Sequence, residues 1–269
     1  MEEKRLNCWE DFEAEITALF VTLKNRRKKT GLHVSTPLFR GHAKESWTLK
    51  TTLERYSQKE YSKEDYYDIL LAIEPAVASF TSKSWNISPN EIFYEGRPTP
   101  PALPPRYDFM IYLRHHGFPS PLLDWSSSPY VAAFFAFQPR IENEEENTAI
   151  YSYIEYYGSA KEGRGDQARI VGLGPYVHTH KRHYIQQCQY TICEKYVEDR
   201  YVYSNHEEAF KRNKPRQDLL TKYLIPRSDR VKVLSKLDFM NINSYSLFVN
   251  EESLMETLAY REIERKNYE

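Results

Sequence analysis

Glycine is scarce in this chain, with 9 among 269 residues, and none of them forms a GxGxxG or GxxxxGK-S/T loop. A glycine-rich phosphate cradle is therefore excluded as the central device. Cysteine is scarcer still: Cys8, Cys188 and Cys193 are odd in number and widely spaced. No second pair completes a zinc site, so no metal is expected, and a reducing cytoplasm is the expected compartment. An excess of either charge is missing, since 37 Lys and Arg oppose 38 Asp and Glu. Nothing then marks the whole chain as a binder of nucleic acid or membrane. No apolar run approaches the ~20 residues that a membrane helix needs. The opening MEEKRLNCWEDFEAEI carries no apolar signal core, and no internal repeat is visible. Aromatic residues are what the chain has in plenty, with Tyr alone counting 22. Tyrosine suits both binding surfaces and cores that need a polar outlet.

The densest stretch is His115 to Phe137, HHGFPSPLLDWSSSPYVAAFFAF. A helix-like run from Tyr107 leads into it, and Gly117 fits that helix's C-terminus. Pro119 and Pro121 forbid continuation. Leu122, Leu123 and Trp125 are apolar enough to return under the surface, and Ser128-Pro129 fits the start of a buried helix through Phe137. Asp124 and the serines 126–128 are thus held at a turn between buried elements, where a rigid scaffold can orient polar groups. Taken alone, the same residues are ordinary helix-start and Asx-turn chemistry.

Upstream, Asn7 or Asp11 is expected to cap a first amphipathic helix that ends in the basic run Lys24 to Lys29. Leu38-Phe39 reads as a short strand, with Arg40-Gly41-His42 as its polar exit. An arginine there either snorkels to solvent or grips an anion with its planar fork, and Gly41 leaves room for a ligand near the backbone. Thr51 to Glu54 reads as strand turning to loop, and Lys63 to Phe80 as a helix kinked or broken at Pro75. Five prolines within 98–105 predict an exposed connector. Arg140 to Asn147 is an acidic loop, Thr148 to Tyr157 a strand, and Gly158 to Gly174 a charged loop with a short strand at Ala168 to Val171. His178, His180 and His183 invite a metal but lack carboxylates or thiolates at matching spacing. Lys195 to Arg216 reads as partly helical, Arg230 to Leu234 as an alternating strand, and Phe248 to Ile263 as a last helix. The whole predicts an α+β fold: one compact mixed domain over 36–269 preceded by a helical segment over 1–35.

Four stretches in order resemble the FRG domain family, named for its Phe-Arg-Gly motif. They are Leu38-Phe39-Arg40-Gly41-His42, Leu113-Arg114-His115-His116-Gly117 through Leu123-Asp124-Trp125 to Ala136, Arg182 through Gln186 to Tyr190, and Leu237 to Phe248. Ser120 and Pro121 replace the family's usual Thr-Arg, and Cys188 and Tyr190 stand where Gly and Phe are usual. The layout is also distantly similar to ADP-ribosyltransferases, which implies a split sheet with flanking helices and NAD as the substrate. That resemblance places Arg40, Gly41, His42 and His116 on the dinucleotide, with Arg40 on its phosphates. It places Ser127 and Gln186 near the nicotinamide ribose. Gln186 is neutral, so Asp124 is the candidate for the negative charge that an oxocarbenium-like state needs. The function so implied is an NAD-using transferase or glycohydrolase, an effector of toxin or phage-conflict type acting on a protein or nucleic-acid acceptor. The alternative is a non-catalytic module binding a nucleotide or a protein, and a nuclease stands third because no paired metal-binding carboxylates are evident.

Overall fold

The computed structural model describes residues 1–85, 103–141, 146–158, 166–175, 177, 181–210 and 218–267. Its strands are Glu2–Arg5 (β1), Leu38–His42 (β2), Leu123–Ser126 (β3), Thr148–Ile154 (β4), Arg169–Gly172 (β5), Cys188–Val197 (β6), Arg200–Tyr203 (β7) and Leu219–Ile225 (β8). Its helices are Trp9–Thr30 (α1), Thr52–Tyr56 (α2), Lys63–Thr81 (α3), Tyr107–His115 (α4), Pro129–Phe137 (α5), Lys181–Ile185 (α6), Arg230–Phe239 (α7), Ser244–Phe248 (α8) and Glu251–Ala259 (α9). The architecture is α+β: one open mixed sheet, in the order β1-β8-β4-β2-β3-β6-β5 with β7 on β6, flanked by helices.

The join at the middle of the sheet positions the site. β2 pairs β4 at five positions, and β3 pairs β6 at four. Between them, β2 and β3 pair at the single position Phe39↔Ser126. Two half-sheets therefore meet at one bridge and part beyond it. Side chains alternate across a strand, so Phe39 and Gly41 face one side of β2, and Leu38, Arg40 and His42 face the other. Phe39 packs into a core built from α1, α5 and α7, through Trp9, Phe12, Phe134, Phe137 and Leu234. On the same side of the second half-sheet, Tyr190 and Ile192 pack against α3 and α4. The opposite side holds Leu49, Leu123, Trp125, Tyr151, Tyr153 and Phe210.

Helix α5 has the expected start: Ser128 accepts the Val131 N–H, and Pro129 sits in the first turn. Two arginines tie down its far end. Arg230 donates to Phe137 O at 2.8 Å and Gln138 O at 3.0 Å, and buried Arg227 reaches Ala136 O and Pro139 O. Cations over otherwise unmet C-terminal carbonyls stabilise a helix end.

Several local expectations are corrected. Arg230 to Leu234 is not a strand but the start of α7, because Val233, Leu234 and Leu237 share one buried helical face. Thr51 to Glu54 is not a strand but the capped start of α2. Thr51 Oγ1 accepts the Glu54 N–H, and the Glu54 carboxylate accepts the Thr51 N–H at 2.8 Å. Thr51→Ala should cost about 1 kcal/mol of unfolding free energy; a urea midpoint equal to that of the parent would show that the box is dispensable. Pro75 does not break α3. It lies on the exposed face, where the carbonyl it leaves unbonded can turn to water. Asn7 and Asp11 do not cap α1; Cys8 takes that position, and Asp11 instead accepts the Asn7 N–H. Within Lys195 to Arg216, the part up to Tyr203 belongs to a β6–β7 hairpin, and the expected helical part is, among the described residues, the single 3-10 helix His206–Phe210. The last helix is interrupted at Val249, which takes a left-handed conformation between α8 and α9. β1 and α1 join the same sheet and core as the rest, with Glu2–Arg5 paired to β8. The proline connector at 98–102, the acidic residues 142–145, the loop 159–165, His178, His180 and the stretch 211–216 lie outside the described residues.

Candidate functional site

Past the Phe39↔Ser126 bridge the antiparallel count sets Gly41 abreast of Asp124, but no ladder bond joins them. Arg40 fills the gap instead. Its Nη1 donates to the Asp124 carbonyl at 2.6 Å and lies 3.4 Å from the carboxylate Oδ2. Its Nε donates to His42 Nε2 at 3.1 Å. Arg40 leaves from the face of Leu38 and His42, whereas Asp124 points to the opposite face, beside α4. There Arg114 donates through Nε at 3.0 Å and Nη2 at 2.6 Å to the same Asp124 Oδ1. Two guanidiniums thus share one carboxylate across the split. Arg55 on α2 adds a third positive charge within electrostatic reach of Arg40 and His42. Among the described residues, Arg40 Nη2 and Arg114 Nη1 donate no hydrogen bond.

The protonation states follow from this crowding. Burial alone would raise the Asp124 pKa, but Arg114 and then Arg40 outweigh it and hold the carboxyl well below the usual range. The carboxylate is therefore ionised at any physiological pH. Burial lowers the Arg40 pKa, Asp124 opposes that change, and Arg114 and Arg55 add to it. Burial, reinforced by Arg40, pushes His42 down to about 3. His42 is consequently neutral. It accepts from Arg40 at Nε2 and donates from Nδ1 to Trp47 O at 3.3 Å. His206, fully buried behind Trp125 and Thr191, is likewise pushed down to about 3 by burial and then by Arg40.

The other expected site residues lie at varying remove. The space over Gly41 is taken by α5, since a Cβ there would meet Ala132 O at 2.0 Å. Ser127 follows β3, half-buried, with its N–H on Gln187 O at 3.0 Å and its hydroxyl unbonded among the described residues. Gln186 is buried, and its amide is engaged: Nε2 donates to Leu247 O at 3.0 Å, and Oε1 faces the Cys188 thiol at 3.7 Å. His116 is exposed, packs at a tilt against Tyr112 with ring centroids 4.3 Å apart, and has its pKa lowered by burial and by Arg182 and Lys83. Its neighbour His115 faces inward, with Nε2 2.8 Å from Tyr190 Oη and its charge felt by Asp124. Burial pushes the Cys188 thiol up to about 12, so it stays protonated.

Arg114, Arg55 and His115 are the participants that the sequence did not single out. For Arg114 the available signal was one cation in the otherwise apolar helix face of YDFMIYLRH. No group of three or more His, Cys, Asp or Glu side chains gathers to hold a metal among the described residues. Cavities of about 400 Å3, between α5, α7 and α9, and about 220 Å3, beside α2, are lined by neither Arg40 nor Asp124. Among the described residues no helix is long and apolar enough to cross a membrane.

An open mixed sheet with an arginine–aspartate cluster at its central split is what fold and site define. Residues 35–146, from just before β2 to just before β4, match the model of the FRG domain, and the chain carries that domain. Comparison with curated proteins and with solved structures yields no match.

Proposed function

We propose that the split binds the diphosphate of a nucleotide, with NAD as the expected ligand, and that Arg40 and Arg114 grip it. The observation that carries this reading is the charge count at the cluster: one ionised carboxylate, Asp124, faces Arg40 and Arg114 directly and Arg55 at longer range. A purely structural buried pair balances its charges, because uncompensated charge in a low-dielectric setting is costly. Here positive charge is in excess, and among the described residues one guanidinium nitrogen each of Arg40 and Arg114 has no hydrogen-bond partner. Guanidiniums bind phosphate oxygens at two points.

The chemistry available beyond binding is limited. Asp124 is permanently ionised and part-exposed, so it is placed to stabilise a cationic ribosyl group in an NAD-cleaving transferase. Of the two groups expected on that ribose, Gln186 is buried with its amide engaged, whereas Ser127 keeps an unbonded hydroxyl among the described residues. The binding reading is therefore the better supported of the two, and transferase or glycohydrolase activity of an effector rests on Asp124 and Ser127. Arg40→Lys should keep the fold and lose about tenfold or more of the affinity for ADP or NAD, since an ammonium cannot reproduce the two-point grip. Calorimetry on the folded variant checks this; undiminished affinity would overturn the assignment. Incubation of the parent with labelled NAD separates binding from cleavage.

A further inference from the structure

Four tryptophans occur in the chain. Trp9, Trp85 and Trp125 are 0%, 8% and 3% exposed, as core residues of this size usually are. Trp47 is 45% exposed, and its place is held firmly from behind. Its carbonyl accepts the Tyr151 hydroxyl at 3.0 Å and the His42 Nδ1–H at 3.3 Å. Its ring stands edge-on to His42, with centroids 6.2 Å apart. His42 in turn accepts from Arg40 at 3.1 Å. A large, solvent-facing indole is thus fixed one side chain, His42, away from Arg40 of the positive cluster. The segment that carries it runs from the end of β2 to α2, whose Leu53 N–H is bonded to Ser120 O just ahead of β3. It therefore crosses the open end of the split and brings Arg55 with it.

A solvent-facing indole presents a flat apolar face that a planar ring can cover. Among the described residues the ring that meets the indole is that of His42, set at 67° to it, so no aromatic ring is stacked on the indole. We infer that Trp47 is the stacking platform for the nucleobase of the nucleotide whose diphosphate sits on Arg40 and Arg114, an inference that rests on the reading of the split as a diphosphate site. Base stacking on an aromatic ring tolerates any base and adds affinity without hydrogen-bond readout. The site should then prefer a nucleoside diphosphate to inorganic pyrophosphate while discriminating little among bases.

The test uses the full chain with two probes, pyrophosphate and ADP, followed by tryptophan fluorescence and by calorimetry. The parent should bind both, ADP more tightly, with fluorescence quenched by ADP and not by pyrophosphate. Trp47→Ala should lose about tenfold or more of the ADP affinity and none of the pyrophosphate affinity. Trp47→Phe should retain most of the ADP affinity but lose the quenching. The backbone carbonyl that holds Tyr151 and His42 is unchanged in both variants, and a matching unfolding midpoint confirms that they fold. If the parent binds pyrophosphate and Trp47→Ala binds ADP as tightly as the parent, the platform is refuted and the diphosphate site stands. If the parent binds neither probe, the diphosphate site itself is refuted, and the platform with it.

Discussion

Gly41→Ala should destabilise the protein by about 3 kcal/mol, the upper end of what overpacking a core usually costs. The added Cβ would meet Ala132 O at 2.0 Å, Ala136 N at 2.7 Å and Ala136 Cβ at 2.8 Å. The first two are backbone atoms, so no side-chain rotation relieves the clash; α5 must move as a body. It is not free to do so. Ser128 fixes its first turn, and Arg227 and Arg230 hold its last carbonyls. Phe39 beside Gly41 shares a core with Phe134 and Phe137 of the same helix, and that packing would open as well. The glycine of the Phe-Arg-Gly motif is thus a close-approach position between helix and strand, not room for a phosphate. Urea unfolding checks the prediction. A variant with the parent's midpoint and impaired ADP binding would return Gly41 to the ligand.

This position illustrates which parts of the chain were legible in its sequence. The Ser128-Pro129 start of α5 and the return of Leu122 to Trp125 under the surface are set by local chemistry, so pattern alone reveals them. Arg230 to Leu234 was not legible, because alternation over five residues fits a strand as well as one turn and a half of helix. There the α5–α7 contact decides. The box at Thr51 and Glu54 was legible in principle, since Thr-x-x-Glu is a helix-start signature. Arg40 and Asp124 can be matched from the sequence as a cation and an acid that each lack a local partner, but the geometry of their pairing depends on two strands that part after one bridge, which no local pattern encodes. Arg114 was hidden for a different reason: a cation in a helix's last turn has a sufficient local explanation in the helix dipole. The direction of His115 and His116, one inward and one outward, depends on the helical phase of α4 at its final residues, where a shift of one position exchanges their roles.

Asp124→Asn should lower stability by about 2 kcal/mol at pH 7, and added pyrophosphate should restore most of it. Removing one partner from a buried pair commonly costs about 3–5 kcal/mol, because the other charge is left uncompensated. Here 36% of the Asp124 side chain reaches solvent, so screening reduces that figure. The pH dependence has a defined sign. Arg114 and Arg40 depress the folded-state pKa of Asp124 below its unfolded value of about 3.9. The carboxylate's contribution is therefore complete at neutral pH, and it fades as pH falls below about 4 toward the folded-state value. The gap between parent and variant should narrow in acid and be constant between about pH 6 and 8. In the variant, Arg40 and Arg114 face each other with no anion between them, and an external diphosphate can take the vacated role. A ligand that binds the folded state alone raises stability with the logarithm of its concentration. Pyrophosphate should then raise the melting temperature of Asp124→Asn more than that of the parent, while potassium chloride at matched ionic strength should not. Equal shifts in parent and variant would show that Asp124 and the anion do not compete for the same guanidiniums. A variant as stable as the parent in the absence of ligand would show that the shared carboxylate stabilises nothing.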